Sequence, residues 1–152
     1  MSTERSAPQG AAAVEEIRSR ISTGNARPVL AEVRAALSKL LSDGQPTTID
    51  LGAIPFGPGD ERLLDEILGV GEVRVTLETI GQSSVQETGF PGVWRVDHFD
   101  QRDETLSRFI EVTYLPEILK TQAEDAQAGL DRLRARLNER GEAVPTFPNA
   151  DV

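Results

Sequence analysis

The chain is organised around a run of apolar and polar positions between residues 90 and 114. Phe90-Pro91-Gly92-Val93-Trp94-Arg95-Val96-Asp97-His98-Phe99 and Leu106-Ser107-Arg108-Phe109-Ile110-Glu111-Val112-Thr113-Tyr114 are rich in the β-branched and aromatic residues that suit a pleated, half-buried surface. The intervening Asp100-Gln101-Arg102-Asp103-Glu104 supplies a solvated turn, so the pattern predicts a β-hairpin. Alternation along the first strand places Trp94, Val96 and His98 on one face and Val93, Arg95, Asp97 and Phe99 on the other. The hairpin is therefore expected to have a buried side and a working side.

Upstream, helical spacing takes over. Val14, Ile17 and Ile21 mark one face of a short helix over 11–21, ended by Ser22-Thr23-Gly24-Asn25. Pro28 opens a second helix whose Leu30, Val33, Leu37, Leu40 and Leu41 recur up to the stop signal Ser42-Asp43-Gly44. A short strand over 47–51 and the turn-rich Pro55-Phe56-Gly57-Pro58-Gly59 come next. Asp60-Glu61 then put negative charge in the first turn of a third helix, where the helix dipole favours it. Leu63, Leu64, Ile67 and Leu68 form its stripe, and Gly69 suits a left-handed cap. Val73, Val75 and Leu77 alternate with Glu72, Arg74, Thr76 and Glu78 in a strand with one core face and one wet face. Gly81-Gln82 turns into a polar strand over 83–88 that leads to the hairpin. After Pro116, Leu119, Ala123, Ala126, Leu130, Leu133 and Leu137 predict a long closing helix from Glu117 to Gly141.

The order helix, helix, strand, helix, four strands, helix defines an α+β fold. It is an antiparallel four- to five-stranded sheet, a meander with helices packed on one face, closed by a long C-terminal helix. Residues 11–140 are expected to form this single domain, between flexible tails at 1–10 and 141–152.

Composition narrows the function classes. The 152 residues suit one domain, and the 38% apolar content is low enough to leave the two ends outside the core. A net charge of −9 argues against nucleic acid or an anionic membrane as partner, since both demand clustered Lys and Arg. Absence of cysteine removes disulfides, thiol catalysis, zinc–thiolate sites and thiolate-held iron–sulfur clusters. Arg5 is followed by no apolar run, so the start does not read as a signal peptide. Nothing approaches the roughly 18 apolar residues of a membrane span, and a cytoplasmic location is expected.

Candidate chemistry is sparse. His98 is the one histidine, and its neighbour Asp97 points to the opposite strand face, so the two do not share an ion; His98 reads as a strand-end surface residue. Ser83 and Ser84 lack a nucleophile elbow. No carboxylate pair stands in a setting that separates two pKa values. Gly69-Val70-Gly71 runs into a strand, whereas phosphate-binding glycine motifs run from strand into helix. Arg132, Arg134, Arg136 and Arg140 are interspersed with Asp131 and Glu139 and read as a solvated helix. No catalytic, cofactor-binding or metal-binding residue is assigned. Trp94, alternating with valines, reads as core more readily than as a partner contact. Phe90-Pro91-Gly92 and Pro116-Glu117 are rigid elements at strand boundaries.

Four segments taken together carry a resemblance: Thr48-Ile49-Asp50-Leu51 with Pro55, Gly71-Glu72-Val73, residues 87–96 around Phe90-Pro91-Gly92-Val93-Trp94, and residues 108–119 ending in Pro116-Glu117-Ile118-Leu119. In order and spacing they resemble the carboxy-terminal domain of the hydrogenase expression/formation proteins of the HupH/HyaF type, from about Pro28 to Lys120. The resemblance implies an accessory, non-enzymatic role in making [NiFe] hydrogenase. It implies no cofactor, and partners that are the iron–sulfur small subunit or fellow maturation proteins. Members of the family carry a further amino-terminal domain, where this chain has a tail and a short helix. The expected partner surface is the hairpin, with Phe90, Pro91, Gly92, Trp94 and Arg95 at one end and Glu111, Tyr114, Pro116 and Glu117 at the other. Trp94 and Tyr114 would supply rigid apolar area there, and Arg95 and Glu111 would orient the client. Two alternatives stay open: a homodimer or larger homo-oligomer paired through hairpin edges, and an enzyme using an unfamiliar carboxylate site.

Overall fold

The computed structural model describes residues 9–141; of the tails expected at 1–10 and 141–152, residues 1–8 and 142–152 lie outside the described residues, while Gln9 and Gly10 belong to the first helix. The chain divides into two compact units, one up to Pro116 and one from Glu117 onward. The first unit contains α1 (Gln9–Ser19), α2 (Ala26–Asp43), β1 (Thr47–Asp50), a 3-10 turn (Leu51–Ala53), α3 (Pro58–Leu68), β2 (Arg74–Thr79), β3 (Gly81–Glu87), β4 (Val93–Phe99) and β5 (Thr105–Val112).

The five strands form one sheet in the order β1-β5-β4-β3-β2, with every neighbouring pair antiparallel. Strands β2 to β5 are the expected meander, and β1 joins its far edge against β5. The pairings Val93 with Val112 and Ile49 with Ile110 set these four side chains on one face. There they meet Val29, Val33, Ala36 and Leu40 of α2 and Leu64 and Leu68 of α3 in a single buried cluster. Removing each large side chain of this kind from water stabilises the fold by about 1.5–3 kcal/mol.

The edges of the expected stripes shift. Leu41, placed on the buried face of α2, is 75% exposed, whereas Val29 and Ala36 are buried. In α3, Ile67 is 46% exposed. Val14 and Ile17 of α1 are more than half exposed and do not form a buried face.

The hairpin does not divide into a buried and a working side. Val93 is buried on the helix-covered face, but Trp94 and Val96 are buried on the other. The register explains this: Val75, Val85, Val96 and Phe109 stand opposite one another across β2, β3, β4 and β5 and build a second apolar row. A strand at the centre of a sheet has same-face neighbours on both flanks, so alternation alone does not reveal which of its faces stays open.

Two turns fix the meander. Ile80 sits at the tip between β2 and β3, and Gly81 follows at φ 101. A Cβ at Gly81 would lie 2.5 Å from the Phe99 carbonyl oxygen, so the residue must be glycine. Between β4 and β5, Asp100 Oδ1 accepts from the amides of Arg102 (2.7 Å) and Glu104 (2.9 Å), an Asx-type turn that replaces ladder bonds.

The second unit holds a 3-10 turn (Glu117–Leu119) and α4 (Ala123–Glu139). The helix expected to run unbroken from Glu117 is thus interrupted. Gln122 is extended at ψ 148, and the helix restarts at Ala123 with Glu124 and Asp125 in its first turn, where the dipole favours them. Among the described residues no helix is long and apolar enough to cross a membrane.

Candidate functional site

The loop from β3 to β4 is folded back onto the helices. The Thr88 side chain, only 1% exposed, accepts from the Phe90 amide at 3.2 Å, and the Gly89 amide donates to the Leu68 carbonyl at 2.7 Å, satisfying an end of α3. Gly92 adopts φ 92, and a Cβ built there would stand 3.5 Å from Leu37 Cδ2 and 3.8 Å from Leu40 Cδ2. The turn therefore lies on the side chains of α2, with Phe90 45% exposed at its crest.

The segment leaving β5 reaches the same place. The Thr113 amide donates to the Gly92 carbonyl at 2.9 Å. Trp94 Nε1 donates to the Thr113 carbonyl at 3.0 Å, and the Tyr114 hydroxyl donates to the Leu40 carbonyl at 3.4 Å. Tyr114 itself is 66% exposed. Phe90, Pro91, Gly92 and Tyr114 thus gather beside the second half of α2.

The remaining residues of the expected surface are placed elsewhere. Trp94 and Pro116 are buried, so neither offers its side chain to a partner; Trp94 instead holds the strap that carries Tyr114. Arg95 lies on the opposite sheet face from Trp94 and pairs with Asp65 of α3. Glu111 stands opposite Trp94 in β5 and is half-buried. Glu117 opens the second unit and pairs with Lys120 at 2.9 Å.

Helix α3 borders two cavities. One, about 240 Å³, is lined by Leu51, Gly52, Ile54, Phe56, Glu61, Leu64, Arg95 and Arg108. Its cations are compensated: Arg95 by Asp65, and Arg108 by Glu61 at 2.6 Å and Asp97 at 3.5 Å. Asp97 Oδ1 is buried without a hydrogen bond, so Arg108 supplies it with Coulombic attraction only. The other cavity, about 300 Å³, is lined by Leu30, Val33, Arg34, Leu37, Ile67, Leu68 and Phe90. It is an apolar groove between α2 and α3 with Phe90 among its walls.

Asp60 is the residue that sequence reasoning undervalued. Read as a favourable charge in the first turn of α3, it is in fact 1% exposed and knots three segments together. It accepts from Ser22 Oγ (2.6 Å), the Thr23 amide (2.6 Å), Thr23 Oγ1 (2.8 Å), the Gly24 amide (3.1 Å) and the Gly57 amide (2.9 Å). Burial pushes its pKa up, but the hydrogen bonds from Ser22, Thr23 and Gly57 outweigh this and hold the carboxyl well below its ordinary value of 3.8. The one signal in the sequence was Asp60 three residues after Gly57, the spacing of an acidic N3 side chain that reaches back to an N-cap amide.

His98 and Ser83 face each other across β4 and β3, with Oγ 2.7 Å from Nδ1, and the ring meets Phe109 edge-on at 6.0 Å. Ser83 lies inside a strand, without the strand-to-helix turn that exposes a nucleophile. Among the described residues no group of three or more His, Cys, Asp or Glu is placed to hold a metal ion.

An antiparallel α+β sheet with helices on one face and a looped apolar end defines the class, and comparison with known proteins assigns the family. Residues 23–139 match the family described as HupH hydrogenase expression protein, C-terminal conserved region, and the chain belongs to that family. It is 35% identical over 112 residues to the hydrogenase expression/formation protein HupQ of Azotobacter chroococcum, covering 72% of this chain and 39% of the relative. It is 28% identical over 104 residues to the hydrogenase-1 operon protein HyaF of Escherichia coli, covering 68% of this chain and 36% of that one. The chain thus spans about two fifths of the length of these curated relatives. The solved structure of the hydrogenase expression protein HupH from Thiobacillus denitrificans is similar with a TM-score of 0.75 and 41% identity, over 78% of this chain and 99% of that one.

Proposed function

We propose that this chain is a non-catalytic accessory protein of [NiFe] hydrogenase expression and maturation. It acts in the cytoplasm by binding an immature component, the iron–sulfur small subunit or a fellow assembly protein. The observation that carries the reading is the pair of exposed aromatic residues beside an apolar groove: Phe90, whose amide is fixed by Thr88 Oγ1 and whose ring is among the groove's walls, and Tyr114, whose hydroxyl reaches the Leu40 carbonyl of α2. Aromatic side chains on a rigid support lose little entropy on binding and are frequent interface anchors. Family membership supplies the client class, since the relatives are named for hydrogenase expression and formation.

Within the surface expected around the hairpin, Phe90, Pro91, Gly92 and Tyr114 make contact with the client. Trp94 and Pro116 set the strap from beneath, and Glu111 contributes from the β5 position opposite Trp94. Tagging the chain in its own host under hydrogenase-inducing conditions, purifying without oxygen and identifying co-purified proteins by mass spectrometry tests this. Hydrogenase small subunit or other assembly proteins should be recovered with the parent chain and lost with Phe90→Ala/Tyr114→Ala. Recovery of the chain alone or only with itself overturns the reading, and in the second case favours a homodimer.

A further inference from the structure

We propose that the groove between α2 and α3 receives an amphipathic, acidic segment of the partner protein. Its apolar side chains lie on Leu30, Leu37, Ile67 and Phe90, and its carboxylates on Arg27 and Arg34. This rests on the reading above, that the chain works by binding a hydrogenase-assembly protein, and adds the chemistry of the bound segment.

The groove continues along α2 into a depression of about 250 Å³ lined by Arg27, Leu30, Ala31, Arg34 and Ile67. Across both linings the charged residues are Arg27 and Arg34, and no carboxylate is among them. Neither arginine forms an ion pair with a described residue. In a chain of net charge −9, an apolar trough edged by two guanidiniums with no ion-pair partner among the described residues is a local inversion of sign. Such a rim attracts an acidic partner and disfavours a basic one, while the walls provide the apolar contact that gives affinity.

The spacing fits a helix or turn-rich segment. Arg27 and Arg34 are seven residues apart, two helical turns or roughly 10 Å along α2. Carboxylates seven residues apart on a helix laid alongside would face both at once, with apolar residues at the intervening three- and four-residue steps entering the groove. Ile67, 46% exposed, and Phe90, 45% exposed, are the apolar area such a segment would cover.

The test places a photoreactive side chain in the groove, Ile67→p-benzoylphenylalanine, in the full chain in its hydrogenase-induced host. A parallel variant, Tyr114→p-benzoylphenylalanine, reports on the maturation reading itself. Cross-linked peptides are sequenced by mass spectrometry. The expected adduct at position 67 maps to one segment of a hydrogenase-assembly protein with apolar residues at helical spacing and Asp or Glu beside them. Arg27→Glu/Arg34→Glu should lower its yield by about tenfold or more. Reversing the mapped carboxylates to lysine should restore it. Both arginines are exposed, and thermal melting checks that the double variant stays folded.

The proposal is overturned by a basic or uncharged mapped segment, by a second copy of this chain at position 67, or by a yield indifferent to the charge reversal. An adduct at position 114 with none at position 67 overturns it while leaving the maturation reading intact. Failure of both positions to capture any hydrogenase-assembly protein removes that reading and the groove proposal with it.

Discussion

The two cavities bordered by α3 are similar in size, about 240 Å³ and about 300 Å³, and treat charge in opposite ways. In the first, Arg95 and Arg108 come from neighbouring strands and are met by Asp65, Glu61 and Asp97, so the cations are outnumbered. In the second, Arg34 faces an apolar wall with no carboxylate among the lining residues. Ion pairs already formed leave little free energy for a ligand, because a newcomer must first replace what is there. An apolar trough with an uncompensated cation keeps both its hydrophobic area and its charge for a partner. The difference separates a region whose charges are met within the fold from one whose apolar walls and cation stay open.

If that separation is right, substitutions should sort by region, and the largest stability effect belongs to the internal supports. Trp94→Ala removes a buried aromatic side chain and its bond to Thr113, and should destabilise the protein by about 3–5 kcal/mol in urea unfolding. Trp94→Phe keeps most of the apolar area and loses the indole donor, which should cost about 1 kcal/mol. A Trp94→Ala protein as stable as the parent would mean that the Tyr114 strap is not held from beneath.

Asp60 gives the comparison a pH axis. Its folded pKa lies below the ordinary 3.8, so the folded state favours the ionised form. Its contribution is complete above pH of about 4 and is lost as pH falls below that toward the depressed folded value. Stability of the parent should therefore decline on acidification below about pH 4, and Asp60→Asn, already lacking the charge, should show a shallower decline over the same range. Equal slopes in thermal melts at successive pH values would remove Asp60 from the account.

Smaller effects distinguish the cavities directly. Asp65→Ala strips the partner from Arg95, whose side chain is only 13% exposed, and should cost about 1–3 kcal/mol. Arg34→Ala removes a cation with no partner among the described residues and should leave stability within about 0.5 kcal/mol. Equal losses from the two would erase the contrast between a compensated and an uncompensated cavity.

How much of this was legible in the sequence follows from distance along the chain. The β4–β5 hairpin and the α2 stripe through Val33, Leu37 and Leu40 are local patterns, and the family resemblance rested in part on the hairpin segments. Leu41 was misplaced because a period of 3.6 fixes the middle of an apolar face better than its edges; one residue beyond Leu40 is already turned to solvent. Asp60 takes its bonds from Ser22, Thr23 and Gly24, 36 to 38 positions earlier, and no local pattern encodes that meeting. The burial of the hairpin's second face depends on Val75 and Val85 arriving in register from β2 and β3 to meet Val96 and Phe109. Arg95 could be assigned to a strand face from alternation, but its capture by Asp65, 30 residues away, belongs to tertiary structure.

The smallest expected stability effect is paired with the largest expected effect on client capture. Phe90 and Tyr114 are 45% and 66% exposed, and the Tyr114 hydroxyl makes a single 3.4 Å bond to Leu40. Phe90→Ala and Tyr114→Ala should each change unfolding free energy by about 0.5 kcal/mol or less. In a binding interface the same truncations should cost about 2 kcal/mol or more apiece, since anchor aromatics dominate contact energy. Tyr114→Phe separates the two roles: it deletes the hydroxyl bond and keeps the ring. Client capture equal to the parent's in Tyr114→Phe and lost in Tyr114→Ala would assign binding to the ring, whereas equal loss in both would make Tyr114 a strut for the strap. A large drop in melting temperature in either alanine variant would count against an exposed, partner-facing end and place these aromatics with Trp94 among the internal supports.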